Sequence, residues 1–249
     1  MKAVLPDGYE NYVFDLYGTL VDIRTDEGDE QVWKKLALFY GYYDAAYEPG
    51  ELERAYHRLV SGKEEALKKT LDSDARYAHE ASPEIEIADV FAELYAAKGV
   101  SADRALFVHT GQFFRVLSTD YVRTYPGTEA MLDGLRKNGK KVYLLSNAQR
   151  IFTEYEMHTL GIAKYFDGIM ISSDYRTKKP DKRFFDALIE RYGVKAAETL
   201  FIGNDSKSDI AGAQTVGFDT FYVHSNISPE GDSAPEATYS EDDFDGWGA

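Results

Sequence analysis

Apolar residues recur at two different spacings along this chain, and the switches between them divide it. Tyr12-Val13-Phe14 is a short β-branched and aromatic run that stops at Asp15 and is followed by Gly18, the pattern of a buried strand entering a tight loop. From about Thr25 to Thr119 the period becomes helical and no strand is expected. Leu52, Ala55, Tyr56, Leu59 and Val60 share one helix face. A further helix is predicted over about 85–98, closed by Gly99, and another opens at Ser101 as N-cap with Leu106, His109, Phe113 and Leu117 on one side.

After Tyr125-Pro126-Gly127 short strands and helices alternate. The pattern predicts a helix over 129–137, a strand over 142–145 and another over 168–171. A helix then carries Phe184, Phe185, Leu188, Ile189 and Tyr192 up to Gly193. Last come a strand at 200–202, a helix over about 209–216 and a strand at 221–223. Such alternation is the signature of a parallel sheet covered by helices. The expected fold is therefore α/β: a Rossmann-like parallel-sheet core built from 1–22 and 121–249, with an inserted all-helical cap over 23–120. Ligands of an open parallel sheet bind beyond the carboxyl ends of its strands, so Asp15, Ser146 and Asp205 are expected to converge although far apart in the chain.

Length and composition agree with this division. The 249 residues exceed one small domain, and 44% hydrophobic residues with 19 Tyr and 14 Phe supply a packed interior. A formal net charge of −15 argues against nucleic acid and anionic membrane as partners, since both would be repelled before contact. Glu230, Asp232, Glu236, Glu241, Asp242, Asp243 and Asp245 follow Ser225 with no Lys or Arg among them, and read as a solvated acidic terminus. The absence of cysteine excludes disulfides and thiol chemistry. With no apolar stretch long enough to span a bilayer, a cytoplasmic location is expected. Oligomeric state has no signal in the sequence.

Four polar clusters sit at predicted strand ends: Asp15-Leu16-Tyr17-Gly18-Thr19, Ser146-Asn147, Lys178-Lys179-Pro180, and Gly203-Asn204-Asp205 through Asp209. Each alone has an ordinary structural reading. Asp15 ends a strand and Ser146-Asn147 makes a turn. The lysines are surface charge, and Asp205 and Asp209 cap a helix. Taken together and in this order, they resemble the haloacid dehalogenase-like hydrolases over residues 11–22 and about 123–223.

The resemblance implies Asp15 as a nucleophile that forms a covalent ester, a role suited to a carboxylate already ionised at neutral pH. It implies that Thr19 steadies the loop, that Ser146 and Asn147 grip substrate oxygens, and that Lys179 stabilises the anion. It further implies a magnesium site at Asp15, the Tyr17 carbonyl, Asp205 and Asp209, with Asn204 as an alternative to Asp205 in a register uncertain by one residue. The implied substrate is a small phosphomonoester.

One position departs from the phosphatase pattern, where a second Asp two residues after the nucleophile serves as acid and base. Here that position is Tyr17, whose unperturbed pKa of ~10 makes it a poor base at neutral pH. The 2-haloacid dehalogenases of the same family carry Tyr there, and halide needs no proton to leave. Those enzymes, however, lack the acidic last motif and use a cap arginine, a role only Arg24 is left to fill here because no other Arg precedes Arg54. Magnesium-dependent phosphomonoester hydrolysis is the leading reading, since a carboxylate pair beside an anionic substrate calls for a cation. A haloacid-type hydrolase is the alternative, and a ligand-binding protein without turnover a third. Tyr40, Tyr42, Tyr43 and Tyr47 are read as cap packing, and His57, His79 and His109 lack a metal-binding spacing.

Overall fold

The computed structural model describes residues 2–248. Its centre is a parallel sheet with strand β1 (Asn11–Phe14) in the middle. After β1 the chain forms β2 (Val21–Thr25), four helices α1 (Glu30–Gly41), α2 (Pro49–Asp72), α3 (Ile87–Ala96) and α4 (Arg104–Ser118), and β3 (Thr119–Thr124). It then returns through α5 (Thr128–Lys137), β4 (Lys141–Ser146), α6 (Arg150–Thr159), β5 (Gly168–Ile171), α7 (Ser172–Tyr175) and α8 (Lys182–Tyr192). The last elements are β6 (Thr199–Gly203), a π-helical turn over Ser206–Ala211, α9 (Gly212–Gln214), β7 (Asp219–Val223) and β8 (Tyr239–Glu241). The sheet order is β5-β4-β1-β6-β7-β8, every neighbouring pair parallel.

The central strands read as unbroken apolar runs because helices cover both faces. Their side chains divide by alternation: Tyr12, Phe14, Val142, Leu144, Leu200 and Ile202 enter one hydrophobic layer, and Val13, Tyr143, Leu145 and Phe201 the other. Helices α1–α4 have a separate aromatic core of Trp33, Tyr40, Tyr56, Phe91, Tyr95 and Phe114. Leu52 and Tyr56 are buried there as the helical spacing predicts.

Three expectations need correction. Between Thr25 and Thr119 no strand is present among the described residues, as the helical period predicts, while at the two ends of that stretch β2 and β3 form an antiparallel ribbon that the pattern does not announce, pairing Val21 with Thr124 and Ile23 with Val122. Short, half-polar strands give too few alternations to stand out. Helix α4 is capped by Asp103, which accepts from Leu106 N, rather than by Ser101. Its buried face holds Thr110, Gly111, Phe114 and Ser118 while His109 is exposed, because Gly111 lets the helix approach Phe91 and Ile151. Where a helix over 209–216 is expected, a π-helical turn and the brief α9 stand instead. The acidic end, finally, is not merely solvated: β8 pairs with β7, and Ala234, Phe244 and Trp247 are buried between exposed carboxylates. A charge count averaged over the tail hides these inward residues. Among the described residues, no helix is long and apolar enough to cross a membrane.

Candidate active site

The parallel register brings the polar clusters to one edge. Phe14 pairs with Leu144 of β4 and Ile202 of β6, so Ser146 ends its strand and Asp15 and Asn204 lie just beyond theirs, all at the carboxyl edge of adjacent strands. Asp15 is fixed by its own backbone, whose N–H donates to Ile202 O at 2.9 Å. Lys179 reaches in from the loop before α8 and donates to Asp15 Oδ1 at 2.7 Å and to Asp209 Oδ1 at 2.5 Å. Its side chain is 1% exposed.

Two carboxylates share one ammonium in this buried group, and each charge answers to the others. Burial disfavours the Lys179 ammonium, but the attraction of Asp15 and Asp209 outweighs it and the net shift is upward. Burial pushes the Asp209 carboxyl up to about 7, against the pull of Lys179. Asp209 is also held by the backbone N–H groups of Asn204 and Asp205, which donate to its Oδ2 at 3.0 and 3.1 Å.

The remaining predicted residues divide. The Ser146 hydroxyl is buried and has no hydrogen-bond partner among the described residues, which leaves it available to an oxygen of a bound group. Asn147 does not present its amide to the site: it accepts from Lys179 N at 2.8 Å and donates to Lys179 O at 3.0 Å, which fixes the lysine backbone. Thr19 is fully buried and its hydroxyl lies 3.5 Å from Asn204 Oδ1. Gly18 has φ 90°, and a Cβ there would stand 2.2 Å from the Asn204 amide, so the loop and Asn204 touch only because residue 18 is glycine. Asn204 thus faces the Asp15 loop. Asp205 turns its Oδ1 to cap the π-helical turn, accepting from Lys207 N and Ser208 N.

Tyr17 turns its side chain away from Asp15. Its hydroxyl donates to Glu156 Oε2 at 2.5 Å and contacts Thr153 Oγ1 at 3.0 Å, while Arg115 of α4 donates to Glu156 Oε1 at 2.7 Å. Burial and the adjacent Glu156 carboxylate push the Tyr17 hydroxyl well above the ordinary phenol range, with Arg115 opposing. Sequence reasoning missed both Glu156 and Arg115. Neither stands in a motif, and only the packing of α4 on α6 joins them. Tyr17→Phe is expected to lower stability by ~1–3 kcal/mol, the cost of removing a buried hydrogen bond to a charged group. It should leave the pH optimum of activity in place, whereas a phenol acting in proton transfer would shift it; thermal melting and a pH–rate profile decide.

Arg24 lies on β2 with its side chain 71% exposed, paired with Asp120 at 3.3 Å, outside the buried group. Lys178 is half-exposed near Glu64 and Glu84. His57 packs against Trp33, and His79 bonds Asp181 at 2.8 Å, tying the loop before α3 to the start of α8. Tyr40 stacks near Tyr95 and Tyr47 donates to Leu94 O, while Tyr42 and Tyr43 are exposed. Among the described residues, no three His, Cys, Asp or Glu side chains form a ready metal cluster.

The family model of haloacid dehalogenase-like hydrolases matches residues 9–217. A glyceraldehyde 3-phosphate phosphatase from Methanothermobacter thermautotrophicus is 29% identical over 43% of this chain, a match spanning about half that enzyme's length (47%). A phosphoglycolate phosphatase from Aliivibrio fischeri is 25% identical over 92% of this chain and 91% of its own length. In fold, the chain is similar to a 2-haloacid dehalogenase from Pseudomonas syringae, with TM-score 0.58 and 20% identity over 94% of each chain.

Proposed function

The chain belongs to the haloacid dehalogenase-like hydrolases, and from that premise we propose that it hydrolyses a small phosphomonoester through an ester formed on Asp15, with α1–α4 as the cap over the site. The observation that carries this reading is Lys179, a buried ammonium 2.7 Å from the attacking carboxylate. It pairs with the Asp15 carboxylate and offers positive charge to an incoming phosphoryl group. Asp209 aims the lysine from one side and Asn147 fixes its backbone from the other. The Ser146 hydroxyl receives a phosphoryl oxygen. Asp15 attacks phosphorus as the bond to the leaving oxygen breaks, the alkoxide takes its proton from solvent, and water then attacks the same phosphorus to release phosphate and restore Asp15.

The phosphatases among the sequence relatives support this choice, as does the surface position of Arg24, which leaves a haloacid without the expected clamp. With Tyr17 held by Glu156, no acid stands ready for the leaving oxygen. Rates should therefore fall steeply as the leaving alcohol becomes less acidic.

The Asp15 carboxylate and the Asn204 amide oxygen near the loop are hard oxygen ligands, which fits a hard cation that keeps several waters and takes one or two carboxylates. Magnesium would be held by Asp15, the Tyr17 carbonyl and the amide oxygen of Asn204. Asp205 and Asp209 are engaged in capping and in the lysine bridge. When bound, it supplies neutralisation of phosphoryl charge. An amide in place of a carboxylate weakens such a site, so Asn204→Asp is expected to tighten magnesium binding ~10-fold or more, read as a lower midpoint in a magnesium titration of the melting temperature. An unchanged midpoint would remove Asn204 from the site.

The test of the reading is a panel of phosphomonoesters and 2-haloacids, each with magnesium and with excess chelator. Phosphate release lost on chelation is the expected outcome. Halide release that persists in chelator would favour the dehalogenase alternative, for which the neutral Asn204 is the supporting observation.

A further inference from the structure

The tail beyond residue 217 lies outside the matched family span, yet it ends against the Asp15 loop. Trp247 is 1% exposed, and its indole N–H donates to the carbonyl oxygen of Thr19 at 3.0 Å. Its ring meets Phe14, the residue before Asp15, edge-on at 6.2 Å and packs on Phe221 and Phe244. Its backbone N–H donates to Pro126 O at 2.7 Å. Gly127 accommodates the approach, since a Cβ there would fall 2.0 Å from the Trp247 carbonyl oxygen.

One residue therefore holds both chain passages between the core and the helical insertion: the Thr19 end of the outgoing one and Pro126 of the returning one. The two are already stitched by Tyr125 N–H donating to Leu20 O at 3.0 Å. Within the loop, Leu16 O accepts from the backbone N–H groups of Thr19, Leu20 and Val21, so the turn that follows Asp15 moves as a unit. The Thr19 carbonyl faces outward from that turn, and the indole N–H is its hydrogen-bond donor.

We propose that Trp247 is a positioning residue for Asp15: the tail clasps the nucleophile loop through Thr19 and sets where the attacking carboxylate stands. The assignment rests on the Asp15 reading above. Trp247 touches no reacting atom; it acts through the loop.

Trp247→Phe, made in the full chain, retains one aromatic ring and removes the N–H together with the second ring of the indole, so the loss of bulk needs a comparison of its own. A small displacement of a reacting group is costly, ~10²-fold for about 1 Å, so kcat is expected to fall ~10-fold or more. KM should stay within about twofold, because substrate binding is not the interaction removed. Amide exchange at Thr19, Leu20 and Val21 should quicken ~10-fold as local opening becomes easier. Phe244→Leu serves as the structural comparison, since it loosens the same cluster and leaves the indole N–H in place. It should lower the melting temperature comparably while leaving loop exchange and kcat close to wild type.

If Trp247→Phe behaves like Phe244→Leu in both loop exchange and kcat, the tail is only packing and the proposal is overturned. Should the wild type release no phosphate from any ester, the hydrolase reading falls, while the exchange comparison still decides whether Trp247 holds the loop.

Discussion

Asp15→Asn is expected to abolish turnover while the protein stays folded. The amide is nearly isosteric and keeps a hydrogen-bonding oxygen toward Lys179, but it cannot attack phosphorus as an anion. The loss should be ~10³-fold at least, the scale that removal of a nucleophile reaches. Stability points the other way. Two carboxylates share a single ammonium, so above the Asp209 value of about 7 the buried group carries one excess negative charge, and the substitution removes it. The melting temperature should therefore hold or rise. Activity near wild type in this variant would end the covalent mechanism, and a collapse of the fold would show that Asp15 is a structural anchor.

Lys179→Met should be damaging in both respects. It removes the cation from between two carboxylates that are nearly sealed from water, which typically costs ~3–5 kcal/mol. The loss of a charged stabiliser at the reacting centre should reduce kcat by ~10²–10³-fold. The pH dependence follows from Asp209, which burial has already raised from 3.8 to about 7. Across that window the folded state binds more protons than the unfolded state, so this group's contribution to stability is present at low pH and lost as pH rises to about 7. Without the ammonium to oppose burial, the folded value moves higher still. The variant should be least stable above neutrality and recover as pH falls toward 4, and chemical denaturation at several pH values measures this. A flat profile would mean that Asp209 is not the buried proton acceptor. Adding Asp15→Asn to Lys179→Met should restore part of the lost stability, because one of the two stranded charges is gone.

Much of the arrangement was legible in the chain itself. Val13, Leu145 and Phe201 announce central strands because a sheet covered on both faces needs continuous apolar runs, and the polar residue ending each run is where the site forms. Lys179 stands against Asp15, the two residues that the motifs set at the reacting centre, and Asp209, read as a magnesium ligand, meets the lysine instead. What the sequence left open was orientation. Whether Asn204 or Asp205 faces the loop depends on how a π-helical turn begins, and a one-residue spacing does not decide that. Tyr17 sits where its position in the loop suggests, but its hydroxyl is claimed by Glu156, which lies 139 residues away in sequence. Asn147 reads as a substrate-gripping amide and is instead the clip for the Lys179 backbone. The acidic tail concealed Trp247 because charge dominates its composition, while burial depends on the few apolar residues between the carboxylates.

The central claim is that an ester forms on Asp15 and that water resolves it at phosphorus. The most direct measurement is a single turnover in ¹⁸O-water with enzyme in excess over a phosphomonoester, followed by mass analysis of the released phosphate and of the peptide containing Asp15. Attack at phosphorus places the heavy oxygen in phosphate and leaves the Asp15 carboxylate unlabelled, which is the result expected here. Heavy oxygen in the Asp15 carboxylate would mean that water attacks the carbonyl carbon of the ester, as in displacement at carbon, and would contradict the account.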